Sequence, residues 1–218
     1  MEREIDVAGF RPPQQARSRE ALRRLLTAAE EVLAEVGYED VTMNAVAERA
    51  GVSVGSIYRR FEGRDQLLAV LKDRMAADLE ARIVAAVEAA PQDLDGVVRA
   101  YVHALADAFA HDSAVLPDLF GRRDRRSLSD RGQAALEAGY GYFASATRPF
   151  WASVERPDVE EAVRAAAETI LAAFVHRAMR SQGAPGTLPV EDWVRYADRL
   201  ADMVLSYLRL PVPVASRP

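Results

Sequence analysis

Residues 42–61, TMNAVAERAGVSVGSIYRRF, constrain the fold of this chain more tightly than any other stretch. Ala47 is small enough for a second helix to approach it closely. Four positions later, Gly51 takes the left-handed conformation that ends a helix and reverses the chain. Val46, Ala50, Val52 and Ile57 supply an apolar inner face. Ser53 is placed as N-cap of the second helix, its hydroxyl accepting from the free amides of the next turn. Val54, Gly55, Ser56, Tyr58, Arg59 and Arg60 are then expected to face solvent. Small residues there permit close backbone approach, while Tyr and Arg reach phosphates or base edges. Two short helices at a steep angle around a Gly turn form the helix-turn-helix pattern. Spacing alone fits a plain helical hairpin equally well, so the flanks decide.

Upstream, Leu22, Leu25, Leu26, Ala29, Val32, Leu33 and Val36 recur at three- and four-residue steps, which predicts one apolar face of a helix. Ser18 opens that helix as its N-cap and Gly37 closes it. Tyr38 begins a short connection, Val41 tucks inward and Thr42 caps the next helix. Downstream, Phe61 ends the second short helix, and Glu62 and Gly63 make a turn. A long helix starts at Arg64, with Leu67, Leu68, Leu71, Met75, Leu79, Ile83 and Val87 on its apolar side, and Pro91 stops it.

The stretch LLTAAEEVLAEVGYEDVTMNAVAERAGVSVGSIYRRFEGRDQLL resembles the N-terminal domain of the tetracycline-repressor (TetR) family of transcriptional regulators. Ala28, Ala29, Gly37, Tyr38, Thr42, Ala47, Ala50, Gly51, Val52, Ser53, Gly55, Tyr58, Phe61 and Leu67 carry the likeness, which spans about a fifth of the chain. Two positions depart from the family's habit: Arg64 stands where Lys is usual, and Glu62 where Pro is common. The resemblance implies an all-α protein, with a three-helix helix-turn-helix DNA-binding domain followed by a larger helical domain for effector binding and dimerisation. The expected division is a flexible arm over 1–16, the DNA-binding domain over 17–63, the helical domain over 64–210 and a tail over 211–218.

Composition bounds the alternatives. The chain has 218 residues, half of them hydrophobic, which suffices for a core in one or two domains. It has no Cys, so disulfides, thiolate metal sites and cysteine nucleophiles are excluded. The first ten residues hold acids and no apolar run, unlike a secretory signal. No stretch approaches the length of a membrane span, so a cytoplasmic protein without membrane partners is expected. Charge is the awkward feature. The chain carries a net −5, and residues 1–64 hold ten arginines against eleven carboxylates, whereas DNA binders are often strongly basic. Phosphate attraction must then come from local placement: Arg11, Arg17 and Arg19 at the start, Arg59 and Arg60 on the reading helix, and Arg64 after it, with Glu30, Glu31 and Glu35 turned away.

Beyond Pro91 the pattern is helical. Helices are expected over 94–111, 115–120, 133–151, 158–180 and 190–209. Residues 121–132, GRRDRRSLSDRG, read as a solvated charged connection, because acids interrupt the arginines. The 133–151 helix mixes small residues with Tyr140, Tyr142, Phe143, Phe150 and Trp151. Any single ring is most simply core, but the cluster suggests an effector pocket. Tyr101, His103, Phe109, Phe120, Phe174, His176 and Met179 on neighbouring helices join Tyr140, Phe143 and Trp151 as candidate lining, which favours a hydrophobic or aromatic small molecule. His103 and Asp107 share a helix face, yet no pair of histidines has a metal-ligand spacing, so neither metal nor cofactor is expected. Apolar stripes on the last two helices fit a homodimer interface, and a single helix-turn-helix reads too few base pairs to be specific alone.

The expected function is a ligand-responsive repressor released from a near-palindromic double-stranded DNA operator by its effector. Arg17, Arg19, Thr42, Ser53, Val54, Gly55, Ser56, Tyr58, Arg59, Arg60 and Arg64 are its candidate DNA contacts. The rival is a helical small-molecule-binding protein whose DNA-binding motif has degenerated, supported by the near-neutral first 64 residues. An all-helical enzyme ranks third, because no triad, metal cluster or phosphate-cradling Gly loop is present and adjacent Glu160 and Glu161 point apart on a helix.

Overall fold

The computed structural model of the protein describes Val7, Phe10 and residues 15–111, 129–181 and 190–211, the side chains of 129–136, 179–181 and 190–191 excepted. The expected helix over 115–120 with Phe120, the arginines of 121–128 and the side chain of Met179 lie outside the described residues. Every regular element among the described residues is helical. In chain order these are α1 (Ala16–Val36), α2 (Met43–Ala50), α3 (Val54–Tyr58), α4 (Arg64–Ala89), α5 (Leu94–His111), α6 (Ser129–Thr147), a 3-10 turn (Arg148–Ser153), α7 (Val159–Ser181) and α8 (Val190–Arg209). The chain divides into two compact units, Met1–Asp78 and Leu79–Pro218.

In the first unit, α1 buries Leu22, Leu25, Leu26, Ala28, Ala29, Val32 and Leu33. The helix starts earlier than expected: it opens after Gln15, and Ser18 lies in its first turn rather than at its cap. Gly37 closes it at φ +79°. Thr42 caps α2, its hydroxyl accepting from the Ala45 amide at 3.1 Å. Gly51 ends α2 in the left-handed region (φ 66°, ψ 35°), and the amides of Gly51 and Val52 return to Glu48 and Ala47 carbonyls at 3.1 and 3.0 Å. That double closure satisfies carbonyls the helix end would strand. The Val52 side chain is consequently swung outward and exposed, not part of the inner face as expected.

The sequence reading placed a boundary before Arg64, but the first half of α4 goes with the N-terminal helices, up to Asp78. Leu67, Leu68, Val70 and Leu71 are all buried. Two polar ties add to them. Arg64 donates through Nε to the Val41 carbonyl at 2.8 Å and through its terminal nitrogen to the Tyr38 carbonyl. Arg74 reaches Thr27 Oγ1 at 3.4 Å and lies 3.6 Å from the Glu30 carboxylate. Two residues of the stretch expected to be a flexible arm are described. Val7 and Phe10 are buried, and the Phe10 ring stacks on Phe61 at 5.4 Å between centroids. The stack hides two rings that would otherwise face water.

The second unit is built around α5 and α8, which run antiparallel. Val98, Tyr101, Val102, Leu105 and Phe109 on α5 and Trp193, Ala197, Leu200, Ala201, Val204 and Leu208 on α8 are buried. Along the edge of that pair run three ionic contacts: Asp95 with Arg209, Arg99 with Asp202 at 2.5 Å, and His103 with Asp198 at 2.9 Å. Asp93 opens α5 by accepting from the Gly96 amide at 2.7 Å. α6 begins at Ser129, earlier than the expected 133, and ends at Thr147 rather than 151. Pro149 lacks an N–H, so the chain continues as a 3-10 turn carrying Phe150 and Trp151. The buried Thr147 hydroxyl donates to the Phe143 carbonyl at 2.8 Å and accepts from Trp151 Nε1 at 3.3 Å.

Candidate functional site

α3 is only five residues long and is held by one fully buried side chain, Ile57. With Ile57 turned inward, Gly55, Tyr58 and Arg59 are left on the surface, Tyr58 at 55% exposure. A Cβ at Gly55 would meet nothing within 4 Å, so this face is open. Ser53 stands at the start of α3, but its hydroxyl makes no cap bond. It lies instead 2.8 Å from the Ser56 hydroxyl, which accepts from an Arg59 terminal nitrogen at 2.8 Å. Ser53, Ser56 and Arg59 thus form a hydrogen-bonded line along one edge of α3, which restricts the Arg59 guanidinium before any ligand arrives. Val54 is half-buried at its head.

The remaining candidates separate. Arg17 and Arg19 are exposed on the first turn of α1, and Thr42 is exposed at the start of α2. The Thr42 oxygen already accepts from the backbone, yet its O–H stays available to donate. Arg60 is half-buried and donates to the Ser18 hydroxyl at 3.1 Å. Arg64 serves the backbone carbonyls of residues 38 and 41, with its guanidinium carbon 5.1 Å from the Tyr38 ring centroid. The buried Lys72 ammonium lies 4.2 Å from the same ring. Residues 64 and 72 are two turns apart on one face of α4, so Tyr38 lies against two cations. Sequence reasoning passed over this arrangement, although the eight-residue spacing was its signal. It also passed over Arg24, which lies seven residues after Arg17 and hence on a similar face of α1.

The carboxylates of α1 are engaged away from α3. Arg49, in the last turn of α2, bonds Glu35 at 2.6 Å and Glu31 at 3.2 Å. Hydrogen bonding from Arg49, reinforced by its charge, holds the Glu35 carboxyl below its ordinary range. Glu20 pairs with Arg23 at 2.7 Å.

In the second unit the candidate effector residues form two groups. Tyr101 and Phe143 meet edge to face at 4.8 Å, and the Tyr101 hydroxyl donates to the Gly139 carbonyl at 3.3 Å. Burial, with nearby Tyr140 and Tyr142 adding to it, raises the Tyr101 phenol well above its usual range. Tyr140 is half-buried, also raised chiefly by burial and then by Glu168. Trp151 is half-buried beside Thr147, with Arg148 over its ring at 5.5 Å. The second group is a ring stack: Phe109 on Phe174 at 5.6 Å, both 6.1 Å from Trp193, with Tyr196 edge-on to Phe174. Phe109, Phe174 and Trp193 are almost wholly buried, as a packed core requires. His103 is not aimed at Asp107; it pairs with Asp198, while Asp107 pairs with His111 at 3.4 Å. His176 is exposed on α7.

The family of bacterial regulatory proteins described as the tetR family matches residues 25–71. The HTH-type transcriptional repressor KstR of Mycolicibacterium smegmatis is 48% identical over 50 residues, 23% of this chain and 24% of that protein. KstR of Mycobacterium tuberculosis is 39% identical over 64 residues, 29% of each. The chain therefore matches these curated relatives over less than a third of their length. Among solved structures, the fatty acid degradation regulator FadR from Bacillus halodurans superposes with a TM-score of 0.69 at 18% identity, covering 87% of this chain and 96% of that one. FadR from Bacillus subtilis, solved with stearoyl-CoA, gives 0.64 at 19% identity, covering 85% and 98%. At such identities the structural likeness speaks to fold, while the sequence likeness lies on the helices that surround Gly51. Residues 25–71 thus carry a tetR-type sequence, and the helical architecture around them is shared with these structures along most of the chain.

Proposed function

We propose that the protein is a homodimeric transcriptional regulator that binds double-stranded DNA through α3 and loses its operator when a small apolar effector binds. The observation that carries this reading is the open surface of α3, on which Gly55, Tyr58 and Arg59 stand clear while Ile57 is buried. Gly55 admits the DNA backbone, Arg59 carries a fork of donors suited to a base edge or phosphate, and Tyr58 offers a hydroxyl. Ser53, Val54, Ser56 and Thr42 flank that surface, and Arg17 and Arg19 extend it along α1. Arg60 and Arg64 act by holding α3 and the 38–41 connection in place.

Two copies are needed, with their α3 helices about 34–36 Å apart, to enter successive major grooves. Val194, Met203, Tyr207 and Leu210 are large apolar residues left exposed on and just after α8, which supports pairing through residues 158–180 and 190–209. For the effector, Tyr101, Tyr140, Phe143 and Trp151 combine apolar rings with polar tips. The stearoyl-CoA bound by Bacillus subtilis FadR makes a long acyl chain one class to try. Phe109 and Phe174 contribute as the wall behind this group. The effector must bind the DNA-free state more tightly than the DNA-bound state, and α4, which belongs to both units, is the path for that preference.

The test is fluorescence anisotropy with duplex fragments from upstream of the protein's own gene. Salt-sensitive, saturable binding that collapses in a Tyr58→Ala, Arg59→Ala double variant is expected. Binding to no fragment at any salt concentration, with a folded dimer in the cuvette, refutes the reading.

A further inference from the structure

A groove of about 490 Å³ runs beside α3 in the first unit, lined by Ala21 and Arg24 of α1, Val52 of the turn, and Ser56, Arg59 and Arg60. Its volume equals that of roughly sixteen water molecules at about 30 Å³ each, ample for a phosphate group. Its charge is one-sided: among the described residues, three guanidinium groups line it and no carboxylate does. Arg24 also borders a second groove with Glu20, Glu31 and Asp78, but these carboxylates are paired with Arg23 at 2.7 Å, Arg49 at 3.2 Å and Arg74 at 3.5 Å. Arg24 itself forms no ion pair with another described residue. Arg59 and Arg60 bond the uncharged hydroxyls of Ser56 and Ser18 at 2.8 and 3.1 Å, so their charges are oriented without being cancelled. Crowding three positive groups on one channel has a Coulomb cost that an anion in the channel removes.

We propose that this groove is a phosphate cradle for the DNA strand flanking the reading helix, and that Arg24 is a DNA-contacting residue. The proposal rests on the reading of α3 as the DNA-facing helix and adds a contact from α1 to it. Small Ala21 keeps the α1 wall low beside Arg24, and Val52, exposed by the geometry of the Gly51 turn, lets the strand lie against an apolar floor. A phosphate contact of this kind is indifferent to base sequence, so it can be measured without knowing the operator.

The probe is a 30-base-pair duplex of random sequence, with the association constant followed from 50 to 200 mM NaCl. One phosphate contact contributes about 0.9 to the slope of log K against log salt. A dimer brings two copies of Arg24 to the duplex, so Arg24→Ala is expected to lower the magnitude of that slope by about 1.8 and to weaken binding several-fold at the lowest salt. Arg24→Lys, which keeps a charge, is expected to retain the wild-type slope. Arg82→Ala, an exposed arginine of α4 outside the reading surface and the proposed dimer segments, is expected to leave both slope and affinity unchanged. Arg24 is exposed, so the variants are expected to fold with unchanged circular dichroism. A wild-type protein that binds the duplex, alongside an Arg24→Ala variant with the same slope and affinity, overturns the cradle and leaves α3 as reader. A wild-type protein that binds no duplex overturns both.

Discussion

Arg64 offers the sharpest test of how the reading head is held, because sequence pattern and structure give it different work. Family likeness suggests a phosphate contact. In the fold its guanidinium donates to two backbone carbonyls, Val41 at 2.8 Å and Tyr38, and sits over the Tyr38 ring, with the side chain 29% exposed. Hydrogen bonds from a charged donor contribute about 1.5–3 kcal/mol each. The lower end applies here, because water has some access and can replace the lost donors. Two such bonds then give about 3 kcal/mol for Arg64→Ala, with about 0.5 kcal/mol more from the ring contact. Lysine has one nitrogen and can serve one carbonyl, so Arg64→Lys should lose about half as much, roughly 1.5 kcal/mol. Urea unfolding followed by circular dichroism is expected to rank wild type above Arg64→Lys, and Arg64→Lys above Arg64→Ala. The salt slope for random duplex should be unchanged in all three. Equal stabilities combined with a slope reduced by about 1.8, one contact per protomer of the dimer, in Arg64→Ala would show the opposite: a guanidinium spent on a phosphate and a 38–41 connection that stands without it.

Other expectations address separate parts of the molecule. Ile57→Ala removes the one buried anchor of α3 and should destabilise the protein by about 3 kcal/mol while weakening every DNA complex, measured by unfolding and anisotropy together. Gly51→Ala forces a Cβ into a left-handed residue at φ 66° with nothing crowding it, so a loss of about 1–2 kcal/mol from backbone strain alone is expected. Met203→Glu puts a charge among the exposed apolar residues of α8; if these residues form the proposed dimer interface, sedimentation should find a dimer for the wild type and a monomer for the variant. Arg49→Met should lower stability at neutral pH. Because Arg49 depresses the Glu35 pKa in the folded state, that advantage exists above the ordinary carboxylate range. It is lost as pH falls through the lowered value, so the two unfolding midpoints should converge in acid.

The elements most readable in the sequence are those whose cause is local. A three- and four-residue apolar rhythm gave α1, α4, α5 and α8, with the limits of α5 and α8 matching residue for residue. Gly51 and Thr42 announced the turn and the cap of α2 because their roles depend on backbone conformation and a neighbour three residues away. What escaped depends on partners distant in sequence. Nothing near Phe10 says that its ring will lie on Phe61, and Pro12 and Pro13 between that residue and α1 suggested only an extended arm. His103 has Asp107 one turn away, yet it pairs with Asp198, 95 residues off, because α8 packs alongside α5. Trp193 was readable as an apolar stripe residue, but its stacking with Phe109 and Phe174 needed three helices in place.

Charge shows the same limit most clearly, because a sum over sequence discards direction. Ten arginines against eleven carboxylates over residues 1–64 argued for an indifferent surface. In the fold, Glu31 and Glu35 are drawn to Arg49, Glu30 lies within 3.6 Å of Arg74, and Glu20 goes to Arg23. Each pair joins a carboxylate of α1 to an arginine outside the α3 edge, and three of the four carboxylates reach a different helix. The cancellation is therefore concentrated on one side of α1. Arg24, Arg59 and Arg60 share a channel whose lining, among the described residues, contains no acid. Over a Debye length of about 8 Å at physiological salt, a phosphate in that channel senses these guanidinium groups far more than the chain's net −5. A globally acidic chain can thus present a locally basic edge, and on the proposed reading its affinity for DNA should fall steeply with salt even though its total charge repels the polymer.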